Sequence, residues 1–158
     1  MEEKSIIQIN SDGWSALLSE IASSYSDGTV IPHEWLKERF GFKELRLEDY
    51  ESVSDFLQAR DEQQFSYMTL VVQLHKHLLE DYKMCTRNIR GDGYQIIKSE
   101  EQAQYGFDNL LSDVRKAFRE AELIVNNVMP VDMEQQAKDN DIRAKIGMMK
   151  QMFAGIRK

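Results

Sequence analysis

Residues Thr86–Ile97, TRNIRGDGYQII, decide how this chain is read. Two β-prone runs, Met84–Ile89 and Tyr94–Lys98, flank Arg90-Gly91-Asp92-Gly93. Gly91 and Gly93 supply the positive φ that a tight corner needs, and Asp-Gly favours a hairpin. Arg87 stands on the first run and Arg90 at the tip. The segment therefore predicts a β-hairpin with guanidinium groups along it.

Directly upstream, Asp61–Asp81 predicts a long amphipathic helix. Phe65, Met68, Val71, Val72, Leu74, Leu78 and Leu79 make one broad apolar stripe. Gln64, Tyr67, Gln73, Lys76, His77 and Glu80 fall largely off it. Before this helix, Ser52 and Asp55 resemble a capping box opening a short helix over Ser52–Arg60. Phe42–Asp49 is irregular. His33–Phe40 predicts a helix, with Pro32 suited to its first turn and Gly41 to its end. Ser11 or Asp12 caps a first helix whose Trp14, Leu17, Leu18, Ile21 and Tyr25 share one face. Ser26-Asp27-Gly28 stops that helix, and Thr29–Ile31 is a short β-prone step. Ser5–Asn10 alternates enough to predict a strand.

The last third has another character. Phe107, Leu110, Val114, Ala117, Ala121, Ile124 and Val128 repeat at steps of three and four, a coiled-coil-like seam. Ser99 with Gln102 is a second capping-box signal. Met129-Pro130-Val131 breaks the seam, and Asp132 caps a final helix on which Ile142, Ile146, Met149, Phe153 and Ile156 recur. A helical hairpin follows, with apolar edges that need a partner. The expected interface is Phe107, Leu110, Val114, Ile142, Ile146, Met149 and Phe153, which would make a homodimer. The fold class is mainly α with a small β component, divided into 1–98 and 99–158.

The chain has 158 residues, enough for one domain or a small domain with an appendage. No run approaches a membrane span, and MEEKSIIQIN has the wrong order for a secretory signal, so a cytoplasmic protein is expected. The single cysteine, Cys85, rules out an internal disulfide and a cysteine-based zinc site, and reads as a small apolar residue in a strand. The net charge of −7 opposes phosphate binding in bulk. Its distribution is uneven: acids crowd the N-terminal part, whereas Lys76, Lys83, Arg87, Arg90 and Lys98 make the hairpin region locally basic.

A helix followed by a basic hairpin is the layout of a winged helix-turn-helix. The run Asn88-Ile89-Arg90-Gly91-Asp92-Gly93-Tyr94 resembles the wing of the C-terminal DNA-binding domain of OmpR-type response regulators. Leu74-His75-Lys76-His77-Leu78 falls where that family has its basic recognition run, and Val30–Phe40 where it has the preceding helix. The likeness covers Val30–Ile97. Histidines replace cations in the recognition run, Phe42–Arg60 is longer than the usual link, and the helical C-terminal extension is foreign to the family. The chain is too short to hold a phosphoacceptor receiver as well. The resemblance implies a winged-helix fold in a small bacterial or phage transcription regulator that binds double-stranded DNA.

On that reading Arg87, Asn88, Arg90 and Lys98 would contact the phosphate backbone or minor groove. Gln64, Tyr67, Gln73, Lys76 and His77 would face the major groove, where glutamine can pair with adenine. Tyr94 would pack beneath the wing. The competing reading is a protein-interaction module or inhibitor on the same scaffold, its acidic surface facing a basic partner or mimicking DNA. His75 and His77, two apart on a helix, face different sides and make no metal site. No phosphate loop, metalloprotease motif or nucleophile elbow occurs, so neither an enzyme nor a cofactor is expected.

Overall fold

The computed structural model describes residues 5–156. In chain order the elements are α1 Asp12–Ser24, β1 Val30–Pro32, α2 His33–Phe40, α3 Val53–Tyr82, β2 Thr86–Ile89, β3 Gly93–Ile96, α4 Gln102–Asn126 and α5 Met133–Gly155. Short 3₁₀ turns lie at Leu47–Asp49 and Ser99–Glu101. The fold is mainly α with a small β part, as the sequence pattern predicts. Two compact units divide it, one ending at Gln102 and the other starting at Ala103.

The first unit is built around α1, α2, α3 and a three-stranded antiparallel sheet of order β1-β3-β2. Ser11 caps α1, its hydroxyl accepting from the Trp14 N–H. That cap sets the phase that buries Trp14, Leu17, Leu18 and Ile21. β1 runs straight into α2, and Pro32, which has no N–H, suits an edge strand. Gly41 ends α2 in the left-handed region (φ 84). A side chain there would strike the Ser5 carbonyl, 2.8 Å from the Cβ position. Ser5–Asn10 makes no strand: the Ile7 N–H bonds the Phe40 carbonyl without a ladder, and Ile7 and Ile9 pack against the core.

Ser52 is an N-cap, accepting from the Asp55 N–H, but the helix it opens does not stop at Arg60. It continues for 30 residues to Tyr82, because no glycine or proline interrupts Val53–Tyr82. Tyr67, Leu70, Val71, Leu74 and Leu78 are its buried face. They pack with Trp14, Ile21, Ile31, Leu36, Phe40 and Ile96 in one core. Lys83 closes α3 in the left-handed conformation (φ 60). The Met84 N–H then bonds the Leu78 carbonyl and turns the chain toward β2.

The hairpin pairs Arg87 with Gln95 and Asn88 with Tyr94 across β2 and β3. β3 also pairs with β1, placing Ile31 beside Tyr94 and Pro32 beside Gly93. Glycine at 93 is required by proximity: a Cβ would lie 2.0 Å from the Ile31 carbonyl oxygen. The hairpin tip is fixed as well, since the His33 N–H donates to the Asp92 carbonyl. After β3, Ser99 does not cap a helix. Its N–H and hydroxyl both donate to Asp27 Oδ2, each at 2.9 Å. These bonds hold the Asp27 carboxyl below the usual carboxylate range. Gln102 donates to the Lys83 carbonyl, so the first unit extends past Lys98.

In the second unit α4 and α5 form a hairpin, with Asp132 capping α5 by accepting from the Gln135 N–H. Phe118 and Phe153 rings meet at 5.9 Å. Arg143 donates through Nε and Nη2 to the Val125 carbonyl, satisfying a carbonyl near the end of α4. Lys150 pairs with Glu122 at 2.7 Å. No side chain of either helix is buried. No helix among the described residues is long and apolar enough to cross a membrane.

Candidate functional site

Two surfaces of the first unit carry the residues singled out by the sequence: the outer side of the hairpin and the helix α3. Strand alternation puts Gln95 on the opposite face of the sheet from buried Ile96. There Gln95 is a bridge. Its Nε2 donates to the Gly28 carbonyl at 2.9 Å, and its Oε1 accepts from Arg87 Nε and Nη2 at 2.9 and 2.7 Å. Arg87 is thus tied to β3 by a neutral partner. Arg90 is exposed in the turn with no carboxylate partner among the described residues. Asn88 and Lys98 are exposed too. These four therefore share the hairpin region, and among the described residues no carboxylate pairs with Arg87 or Arg90.

The α3 residues part company. Tyr67 is buried, its hydroxyl 2.9 Å from His33 Nδ1. Burial first, and then the neighbouring Tyr94 and Glu34, push the Tyr67 pKa up. His77 is half-buried and accepts from the Trp14 indole N–H at 2.7 Å. That bond requires Nδ1 to be unprotonated, so the ring's proton sits on Nε2. Tyr67 belongs to the core, and His77 is tied to it through Trp14. Gln73 is half-buried, and only Gln64 and Lys76 are exposed. Tyr94 lies beneath the hairpin, its ring 5.0 Å from His33 and 4.5 Å from His75. Cys85 sits just before β2, half-buried, with its thiol pKa raised by burial.

The face of α3 opposite the core is the feature the sequence pattern concealed. The broad stripe expected there is two stripes. Val71, Leu74 and Leu78 turn inward with Tyr67 and Leu70, whereas Phe65, Met68, Val72 and Leu79 turn out. Phe65 is 75% exposed and Val72 63%. Positions 65, 68, 72 and 79 are spaced by three, four and seven, which keeps them on one side of the helix. Lys76 is the cation within this stripe. Asp61 and Glu62 precede it, and Glu80 and Asp81 follow it.

Between α3 and the hairpin lies a groove of about 420 Å³ whose lining includes Gln64, Met68, Asn88 and Gly91. Its walls carry two carboxylates, Glu34 and Asp92, and one cation, Lys37, which is 3.3 Å from Glu34. A phosphate backbone passing beside the hairpin would meet this acidic edge.

In the second unit the seam expected on α4 is displaced. Val114, Ile146 and Phe153 are half-buried, whereas Phe107, Leu110, Ile142 and Met149 stay exposed. The helices close on Leu111, Val114, Phe118, Ala121 and Val125, one step around α4 from Leu110, Ala117 and Ile124. The opposite flank of this contact carries a basic cleft, lined in part by Arg115, Arg119 and Lys150. No family model, curated protein or solved structure matches this chain.

Proposed function

We propose that the first unit is a winged-helix frame that serves as a protein-interaction module, with the outward face of α3 as its contact surface. The order α1-β1-α2-α3-β2-β3 and the β1-β3-β2 sheet support that frame. The partner surface rests on one observation: Phe65, Met68, Val72 and Leu79 are exposed side by side on the helix that a DNA reader would present to a groove. Groove readout needs polar and cationic groups, and that stripe offers Lys76 alone. Contiguous apolar surface framed by acids suits a protein with an apolar face and basic edges.

The test is Val72→Asp. This variant should unfold at the same urea concentration as the parent, because Val72 packs nothing in the core. In extracts of native cells the parent should elute on size exclusion above twice its own chain mass, and Val72→Asp no higher than that. Unchanged elution of a folded Val72→Asp protein rejects the surface.

A second reading, a DNA-binding transcription regulator gripping duplex DNA by the wing, is favoured by Arg87 and Arg90, which no carboxylate among the described residues neutralises. Each phosphate contact adds about 0.9 to the salt slope of binding. Replacing both arginines by Ala should therefore flatten the slope for random duplex by nearly two; no binding at low salt rejects this reading.

The second unit makes the protein a homodimer in this account. A two-helix hairpin without a buried side chain has no core of its own, and Leu110, Ile124 and Met149 remain exposed. A second copy would supply the missing layer, completing a four-helix arrangement. Light scattering should give twice the 18.5 kDa chain mass. The double variant Leu110→Glu/Met149→Glu should give the single mass.

A further inference from the structure

The flank of the α4–α5 hairpin carrying Arg115 and Arg119 holds an open cleft of about 300 Å³. Its lining is Arg115, Phe118, Arg119, Lys150, Phe153 and Ala154. The two phenyl rings meet at 57° and form its floor. Arg115 and Arg119 stand one helical turn apart on α4, and Lys150 reaches in from α5. Among the described residues no carboxylate lines the cleft. Glu122 neutralises Lys150 at 2.7 Å, but neither arginine has an ion-pair partner among the described residues. Like charges at that spacing repel each other, so two unpaired guanidiniums there cost stability. An anion would reverse the sign of that interaction.

The six side chains define the ligand by their chemistry. Guanidinium forks pair with carboxylate or phosphate oxygens, often through two parallel bonds. A phenyl floor takes an aromatic ring edge-on or offset, or an aliphatic chain. The volume is at the lower end of small-molecule sites. We infer that this cleft binds a small organic anion, an oxyanion carried on an aromatic or aliphatic body. Arg115 and Arg119 would hold the oxyanion, with Phe118 and Phe153 beneath the apolar body. This site is independent of the α3 surface and of the wing. It lies on the flank of the hairpin opposite Leu110 and Ile124, so ligand and second copy need not compete.

The experiment titrates the full chain by heteronuclear NMR with phenyl phosphate, 3-phenylpropionate, benzyl alcohol and inorganic phosphate. Shift changes on adding phenyl phosphate, phenylpropionate or both should centre on residues 115–119 and 150–154. Which of the two binds tells phosphate from carboxylate. Benzyl alcohol and inorganic phosphate should each bind at least about tenfold more weakly, since each offers half of the recognition. The double variant Arg115→Gln/Arg119→Gln should lose about tenfold in affinity for the aromatic anion while its thermal midpoint holds or rises, since the repulsion goes with the charges. Equal binding of inorganic phosphate would reduce the cleft to a charge patch. Equal binding of benzyl alcohol would reduce it to an apolar patch. Either result, or no localised shift with either aromatic anion, overturns the proposal.

Discussion

Acidification should weaken the first unit through His75. This residue lies on α3 with its ring edge-on to Tyr94 at 4.5 Å. Its Nε2 is shut away from solvent with no hydrogen-bond partner. Burial pushes its pKa down from 6.5 to about 4, so the folded protein keeps the ring neutral where the unfolded chain protonates it. For a base with a lowered folded pKa, the unfolded state binds more protons between those two values. Its contribution is therefore intact above pH 6.5, falls as pH drops, and levels off below about 4. At about 1.4 kcal/mol for each pH unit, the full interval is worth about 3 kcal/mol, and about 2 kcal/mol is lost by pH 5. Urea unfolding of the parent and of His75→Leu, at pH 7.5 and 5.0, isolates this ring from the carboxylates and from His33 and His77. The parent should lose about 2 kcal/mol more than the variant between the two pH values. At pH 7.5 the variant should match or exceed the parent, because it also removes an orphaned polar atom. Equal losses in the two proteins, or a parent that gains stability at pH 5, would show that the ring is not held neutral.

Two further predictions probe the frame. Gly93→Ala should cost more than about 3 kcal/mol in urea unfolding, since its Cβ would collide with the Ile31 carbonyl and part β1 from β3. Gly91→Ala, in open space at φ 88, should cost only the 1–2 kcal/mol or so of a left-handed backbone. On α3, Leu78→Ala should cost roughly 2–5 kcal/mol, as Leu78 is fully buried, and Val72→Ala less than about 0.5 kcal/mol.

Much of this arrangement was legible from local signals. Ser52, Gly41 and Asp132 cap or end their helices where cap chemistry says they should. The glycine-cornered hairpin forms at its expected place, and Tyr94 lies beneath it. What local pattern could not resolve was the phase of long helices. On α3, Val71 and Val72 are neighbours, yet one faces the core and the other water. Apolar residues crowd that helix on two sides, so their sum reads as a single wide stripe. Separating positions 67, 70, 71, 74 and 78 from 65, 68, 72 and 79 by helical angle would have found the outer one. The same ambiguity moved the α4 contact from Leu110 and Ala117 to Leu111 and Phe118. Tyr67 and His77 look polar in sequence, but their partners, His33 and Trp14, are distant in the chain and appear only once it folds. Ser99 was taken from its capping role by Asp27 in the same way.

The outward face of α3 is most directly tested by placing a photoreactive p-benzoylphenylalanine at Phe65 and illuminating native cells. A discrete protein adduct should form, and a second substitution, Val72→Asp, should abolish it. An adduct to nucleic acid from this position, or a protein adduct that survives Val72→Asp undiminished, would contradict the account.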